Sequence, residues 1–336
     1  MNLKAALLGA AAIALVAGAA SAADLACLIT KNNTNPFFVK MKEGAEAAAT
    51  AAGMDFQAYA GEKDGDAAPQ ITAIENCVAA GAKGILITPS NDSVGPALKE
   101  ARAAGILVIA LDTPLADAEA QDMTFATDNF EAGLLIGKWA AATLGAEGVK
   151  TAKIGMLDID KSNISVDVAR DTGFLVGFGI EVPDLKVMGS ETDARVIGHE
   201  SSGANPEGGV TSVENLLAKD PDMNVVYTIN EPAAEGAFQA LTKAGKTGVL
   251  VVSVDGGCQG IASVKAGVIG ATSQQYPLKM AGLGIDAIAA FAKDGTKPAA
   301  TEGLTFFNTG VNLVTDKPAE GVPSIDTTKG TELCWG

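Results

Sequence analysis

The chain has 336 residues, enough for two domains. Its 40 Asp and Glu against 24 Lys and Arg give a formal net charge of −16, which excludes binding of nucleic acid or an anionic membrane surface by bulk electrostatics. Hydrophobic residues at 48% exclude disorder, and a single histidine leaves little for a His-rich metal site or a His-dependent triad.

Met1–Ala22 reads as a secretory signal peptide. Lys4 gives a positive start, Ala5–Ala19 a small apolar run, and Ala20-Ser21-Ala22 a small-x-small cleavage site. Cys27 invites a lipoprotein reading, but Asp24 stands where lipid attachment wants a branched apolar residue. No later run is apolar for the ~18 residues of a membrane span. An exported protein in a bacterial periplasm is expected, where disulfides persist.

Short apolar runs then alternate with amphipathic stretches. Strands are predicted at Leu25–Ile29, Phe56–Tyr59, Ile85–Thr88, Ile106–Leu111, Ile154–Leu157, Val225–Ile229, Val249–Val254 and Val268–Thr272. Most are continuously apolar, as strands covered on both faces must be. The first helix carries Phe38, Met41, Ala45, Ala48 and Ala52 on one stripe, with Asn35 as N-cap and Pro36 at its first position. Gly53, Gly81, Gly105 and Gly245 follow helical stretches where a left-handed cap wants glycine. Gly203–Gly209 reads as a loop before a helix carrying Val213, Leu216 and Leu217. The alternation predicts an α/β protein with two parallel sheets.

Ligands of open parallel sheets bind beyond the carboxyl ends of the strands. The residues there are Thr30 to Asn33 and Asn35, Thr88, Asp112, Asp158 and Asp160, Asn230 and Glu231, Asp255, and Gln274 and Gln275. Asp and Asn also favour this position as helix caps, so the recurrence in both halves is what argues for a shared polar site. Carboxylates and amides suit hydroxyl groups, and Phe37 and Phe38 could pack on the C–H face of a sugar ring.

Other chemistries lack their motifs. There is no Gly-x-Gly-x-x-Gly and no Gly-x-Ser-x-Gly. Gly245-Lys246-Thr247 resembles the end of a phosphate loop, but Ala240 replaces its first glycine, so it reads as a helix–strand turn. An acidic calcium loop opening at Asp158, Asp160 and Ser162 fails at Asn163 and Ala169. His199 reads as a surface residue in a polar loop. Asp112 and Asp255 could form an acid/base pair, but no nucleophile or cofactor motif accompanies them. No cofactor, metal or catalytic residue is expected.

Thr34-Asn35-Pro36-Phe37-Phe38 and the helix after it resemble the start of periplasmic sugar-binding proteins of ABC transporters, in the type I, ribose-binding-like group. The resemblance continues in order through Ile85–Pro89, Val108–Asp112, Thr127-Asp128-Asn129, Tyr227–Glu231, Val252–Gly256 and Gln275-Tyr276-Pro277. It implies two Rossmann-like lobes joined by a three-strand hinge, residues 23–127 with 277–304 forming one lobe and 128–276 with 305–336 the other. It also implies a ligand site of Asn35, Phe37, Phe38, Asp112, Arg170, Asn205, Asn230, Asp255 and Gln275. Thr113 replaces the arginine that follows this aspartate in ribose binders, and the Asn205 region lacks their aromatic residue. Asn163–Asp167 and the Cys-Trp-Gly terminus look most like fructose-binding members. The resemblance thus implies a monomer that captures a monosaccharide, fructose favoured over ribose or xylose, and delivers it to a membrane permease. A chemoreceptor-facing sensor and a periplasmic sugar-modifying enzyme are the alternatives. A sugar-responsive transcription factor of this fold would need a DNA-binding module where the signal peptide stands.

Four cysteines allow three pairings. Cys27 and Cys77 read as core thiols. A Cys258–Cys334 disulfide would pin the tail to the second lobe.

Overall fold

The computed structural model describes residues 23–336; the signal peptide expected at Met1–Ala22 lies outside the described residues. From the amino end the elements are β1 (Leu25–Thr30), α1 (Pro36–Ala52), β2 (Asp55–Ala60), α2 (Ala68–Ala79), β3 (Gly84–Ile87), α3 (Gly95–Ala103), β4 (Leu107–Leu111) and β5 (Met123–Ala126). There follow α4 (Asn129–Lys150), β6 (Ile154–Asp158), α5 (Ser165–Phe178), β7 (Val196–Ser201), α6 (Pro206–Lys219), β8 (Val225–Thr228), α7 (Glu231–Lys243), β9 (Leu250–Asp255), α8 (Cys258–Lys265) and β10 (Ala271–Gln274). The chain ends with α9 (Pro277–Asp294), β11 (Phe307–Asn308), β12 (Asn312–Val314) and α10 (Thr327–Leu333).

The strands form two six-stranded sheets, ordered β11-β5-β4-β3-β1-β2 and β12-β10-β9-β8-β6-β7. All pairs are parallel except β10 with β12. Each sheet is covered by apolar clusters on both faces, which is why its central strands carry buried side chains throughout. The chain passes between the sheets three times: from β5 to α4, from β10 to α9, and from β11 to β12. Phe307 and Asn308 pair with Phe125 and Ala126, so the chain leaves the first sheet after Asn308. That places the last passage slightly beyond the 304/305 boundary expected from sequence.

Local chemistry sets the elements. Asn35 Oδ1 accepts from Phe37 N at 3.0 Å, Pro36 opens α1, and Gly53 closes it with φ 68°. Asn205-Pro206 repeats this signature, so α6 starts inside the stretch expected to be loop. Val268–Thr272 is displaced: β10 is the buried polar run Ala-Thr-Ser-Gln, whose side chains bond to Glu231, Ala132 O and Gly256 O. No described helix is long and apolar enough to cross a membrane.

Cys27 and Cys77 are not free core thiols. They are bonded, fastening β1 to α2 across a Cα–Cα distance of 6.3 Å. Cys258 and Cys334 are also bonded, which ties the carboxyl tail to the start of α8.

Candidate functional site

The carboxyl ends of the two sheets face one another, and a small cavity of about 30 Å³ lies between them. The first sheet's side contributes Lys31, Asn35, Phe37, Phe38, Asp64 and Asp112; the other contributes Ile159, Val166, Arg170, Ala204, Ile229, Asn230, Asp255 and Gln275. Eight of the nine expected ligand residues therefore meet here. Asn205 does not: it is exposed, and its Oδ1 caps α6 through Gly208 N at 2.9 Å. Its neighbour Ala204 lines the cavity in its place.

Asp112 and Asp255 hold equivalent positions, each ending a central strand of its own sheet. Both are 4% exposed. Both also have positive φ, 64° and 139°, which side-chain-bearing residues adopt rarely. The other two described non-glycine residues with positive φ, Asn163 and Ala204, border the same seam. Strain of this kind gathers where the surrounding fold holds a functional geometry.

Arg170 joins the two walls. Its Nη2 lies 3.6 Å from Asp112 Oδ1 and its Nη1 lies 3.8 Å from Asp255 Oδ1. Nε donates to Asn129 Oδ1 at 2.8 Å and Nη1 to Ile229 O at 3.1 Å, so the fork is held on both sides. Arg170 can stand there because α4 and α5 pack at close range. A Cβ on Gly133 would overlap the Arg170 carbonyl, and one on Gly173 would overlap the carbonyl of Phe130.

The remaining polar groups are similarly oriented. Thr113 Oγ1 donates to Asp112 Oδ2 at 2.8 Å, and Gln275 Nε2 donates to Asp255 Oδ1 at 2.7 Å. Asn230 caps α7 through Ala233 N and donates to Ala204 O. Asp112 Oδ1 and Gln275 Oε1 are buried acceptors without a hydrogen-bond donor. Buried acceptors normally find one, so both can take a donor brought by a ligand. Phe37 and Phe38 meet edge to face at 5.4 Å, lining the cavity while anchoring the first core.

Burial raises the Asp255 carboxyl to about 6, with Arg170 pulling the other way. It lifts Glu231 further, to about 8, helped by the Asp255 charge. Glu231 accepts from Gly256 N, Gly257 N and Thr272 Oγ1, so it positions the turn that carries Asp255. Burial also raises Asp64, opposed by Lys31.

The periplasmic binding protein domain model matches residues 26–297. The ribose import binding protein of Escherichia coli (strain K12) is 31% identical over 290 residues, 85% of this chain and 92% of that protein. The chain belongs to the type I periplasmic sugar-binding proteins. The D-allose-binding periplasmic protein of the same organism is 28% identical over 84% of this chain and 88% of that protein. In structure, a solute-binding protein of Agrobacterium vitis bound with alpha-D-tagatopyranose superposes with a TM-score of 0.75, covering 93% of this chain and 99% of that one at 20% identity, which shows the shared two-lobed fold. This is a family of solute-binding proteins rather than enzymes.

Sequence reasoning left several contributors to the candidate site outside the expected ligand set, the apolar lining of Ile159, Val166, Ala204 and Ile229 among them. Asp64 follows β2 and was open to the same strand-end rule. Lys31 sits at a strand end outside the runs that match the family, and Glu231 closes the matching run Tyr227–Glu231, of which only Asn230 was carried into the ligand set. Trp335 was hidden in the tail: the Cys258–Cys334 bond brings it to 5.4 Å from the Phe37 ring, and its Nε1 donates to Gln275 O at 2.8 Å.

Proposed function

We propose that this binding protein captures a monosaccharide between its two lobes and delivers it, unchanged, to an ABC transporter permease. The lobes, residues 23–127 with 277–308 and residues 128–276 with 309–336, move as bodies about the three passages. One observation carries the reading: Asp112 and Asp255, on different sheets and both at positive φ, face one cavity and share Arg170. A cavity of about 30 Å³ has roughly one water's share of liquid volume. A sugar of a dozen heavy atoms therefore enters only when the lobes part. On closure its hydroxyls donate to Asp112, Asp255 and Gln275 and accept from Arg170, while its apolar face lies on Phe37 or Phe38. Binding favours the closed form because only that form presents both walls.

Fructose is the preferred ligand. Support comes from Thr113, shorter than the arginine of ribose binders, and from the resemblance of Asn163–Asp167 and the Cys-Trp-Gly terminus to fructose-binding members. Ribose is the second reading, favoured by the 31% identity to a ribose import binding protein. Thermal-shift screening against pentoses, hexoses and polyols tests the choice. Fructose should give the largest rise in melting temperature; a larger rise with ribose reverses the order, and no rise with any sugar rejects the reading.

A further inference from the structure

At the β7 edge of the second sheet, beside the cavity-lining Ile159 and Arg170 in sequence, the solitary histidine stands among acids. His199 on β7 neighbours β6, where Met156 is its register partner and Asp158 ends the strand. Its Nδ1 lies 2.9 Å from Asp158 Oδ2 and 3.5 Å from Asp171 Oδ2, and its Nε2 lies 2.8 Å from Glu191 Oε1. Asp167, one turn before Asp171 on α5, completes the group and accepts from Ile159 N at 2.7 Å. Sequence placed His199 in an exposed loop; the structure puts it on an edge strand, in this cluster.

The charges do not balance. Three carboxylates, those of Asp158, Asp171 and Glu191, face one imidazole, and among the described residues no lysine or arginine pairs with them or with Asp167 beside them. Asp171 is fully buried, and neither of its oxygens has a hydrogen-bond donor. Asp158 Oδ1 and Glu191 Oε2 are also without donors.

We infer that Asp158, Asp171 and His199 Nδ1 form a binding site for a first-row divalent metal ion such as zinc. Their ligand atoms all lie within 4.8 Å of one another. Ligands at ~2.1 Å from a tetrahedral zinc ion sit about 3.4 Å apart, close to the 2.9 and 3.5 Å separations at Nδ1. One nitrogen and two carboxylate oxygens suit zinc or manganese better than calcium or magnesium. Glu191 then takes the role that orients a ligating histidine, accepting its other N–H at Nε2. The histidine side chain is 21% exposed, which gives the ion a way in. The site ties β6, β7 and α5 together, one residue from Arg170.

The test is calorimetric titration of tag-free, EDTA-treated protein with zinc chloride in two buffers of different ionisation enthalpy. One zinc ion per chain should bind, with release of protons and a rise in melting temperature. D171N and H199Q should weaken binding at least a hundredfold while keeping the circular-dichroism spectrum. E191Q, which retains all three ligands, should weaken it about 10- to 100-fold. Absence of saturable zinc uptake overturns the assignment, as does uptake that D171N and H199Q leave unchanged, or saturation by calcium but not zinc.

Discussion

Asp255→Asn keeps the shape of the side chain and removes its charge. In the unliganded protein Oδ1 accepts from Gln275 Nε2 at 2.7 Å and faces Arg170 Nη1 at 3.8 Å. On the proposed capture of a sugar, the ionised carboxylate would accept hydroxyl donors in a site shielded from water. A hydrogen bond to a charged group contributes about 1.5–3 kcal/mol. At about 1.4 kcal/mol per decade, the dissociation constant should rise roughly 10- to 150-fold. Unliganded stability responds differently, because two effects oppose. Burial has raised this carboxyl to about 6, so its ionised form is disfavoured at neutral pH, and Asn relieves that. Arg170 loses one counter-ion but keeps Asp112 at 3.6 Å. Titration calorimetry at pH 7.5 with the sugar selected by screening, beside thermal melts without sugar, separates affinity from folding. Asp112→Asn should fall in the same range, and the double variant should lose less than the sum, since both residues share Arg170. A dissociation constant within threefold of wild type for Asp255→Asn would refute the reasoning.

Sugar affinity should fall as pH drops through about 6, where Asp255 takes up a proton and loses acceptor capacity. Unliganded stability should move oppositely. Asp255 (3.8 to about 6), Glu231 (4.5 to about 8) and His199 (6.5 to about 11) all hold protons more tightly when folded, so each contribution declines as pH rises through its window. Melts in EDTA from pH 5.5 to 9 should show a falling midpoint; a rising one contradicts the assignment. Gly133→Ala drives a methyl group against the Arg170 carbonyl, and a steric insertion of this kind costs about 1–3 kcal/mol. It should lower both the melting temperature and sugar affinity, whereas an unchanged melt would show that α4 and α5 have room to spare. Asn205→Ala should cost about 1 kcal/mol of stability as a lost cap and leave sugar affinity unchanged; a tenfold affinity loss would return Asn205 to the ligand set.

Much of the site was legible because a parallel α/β sheet sends the residue after each strand to one edge. Asp112, Asn230, Asp255 and Gln275 follow from that rule and from apolar runs that end abruptly. The same rule could not separate ligand from cap, so Asn230, a cap that also lines the cavity, fitted both readings, whereas Asn205, which caps α6 outside the cavity, entered the expected set through the family resemblance alone. β10 was misplaced because its side chains are buried yet polar, satisfied by partners far along the chain such as Ala132 O. β11 and β12 have two and three residues, too few for any periodicity. β7 is an edge strand whose side chains are mostly half-buried, so the apolar signal that marked its neighbours is missing. The Cys27–Cys77 bond escaped notice because buried cysteine in a strand and in an apolar helix stripe is also what an ordinary core contains; only the packing of β1 on α2 brings the two together.

The most direct test of sugar capture is a crystal structure of the protein with the sugar chosen by screening. The sugar ring should lie between the lobes, with hydroxyls within hydrogen-bond distance of Asp112, Asp255 and Gln275, Arg170 donating to it, and a phenylalanine of Phe37-Phe38 against its face. A sugar held by one lobe alone, or seated out of reach of Asp112 in the adjoining cavity of about 400 Å³ that shares Asn35 and Asp255 and extends to Phe238 and Trp335, would contradict capture between the two strand-end aspartates.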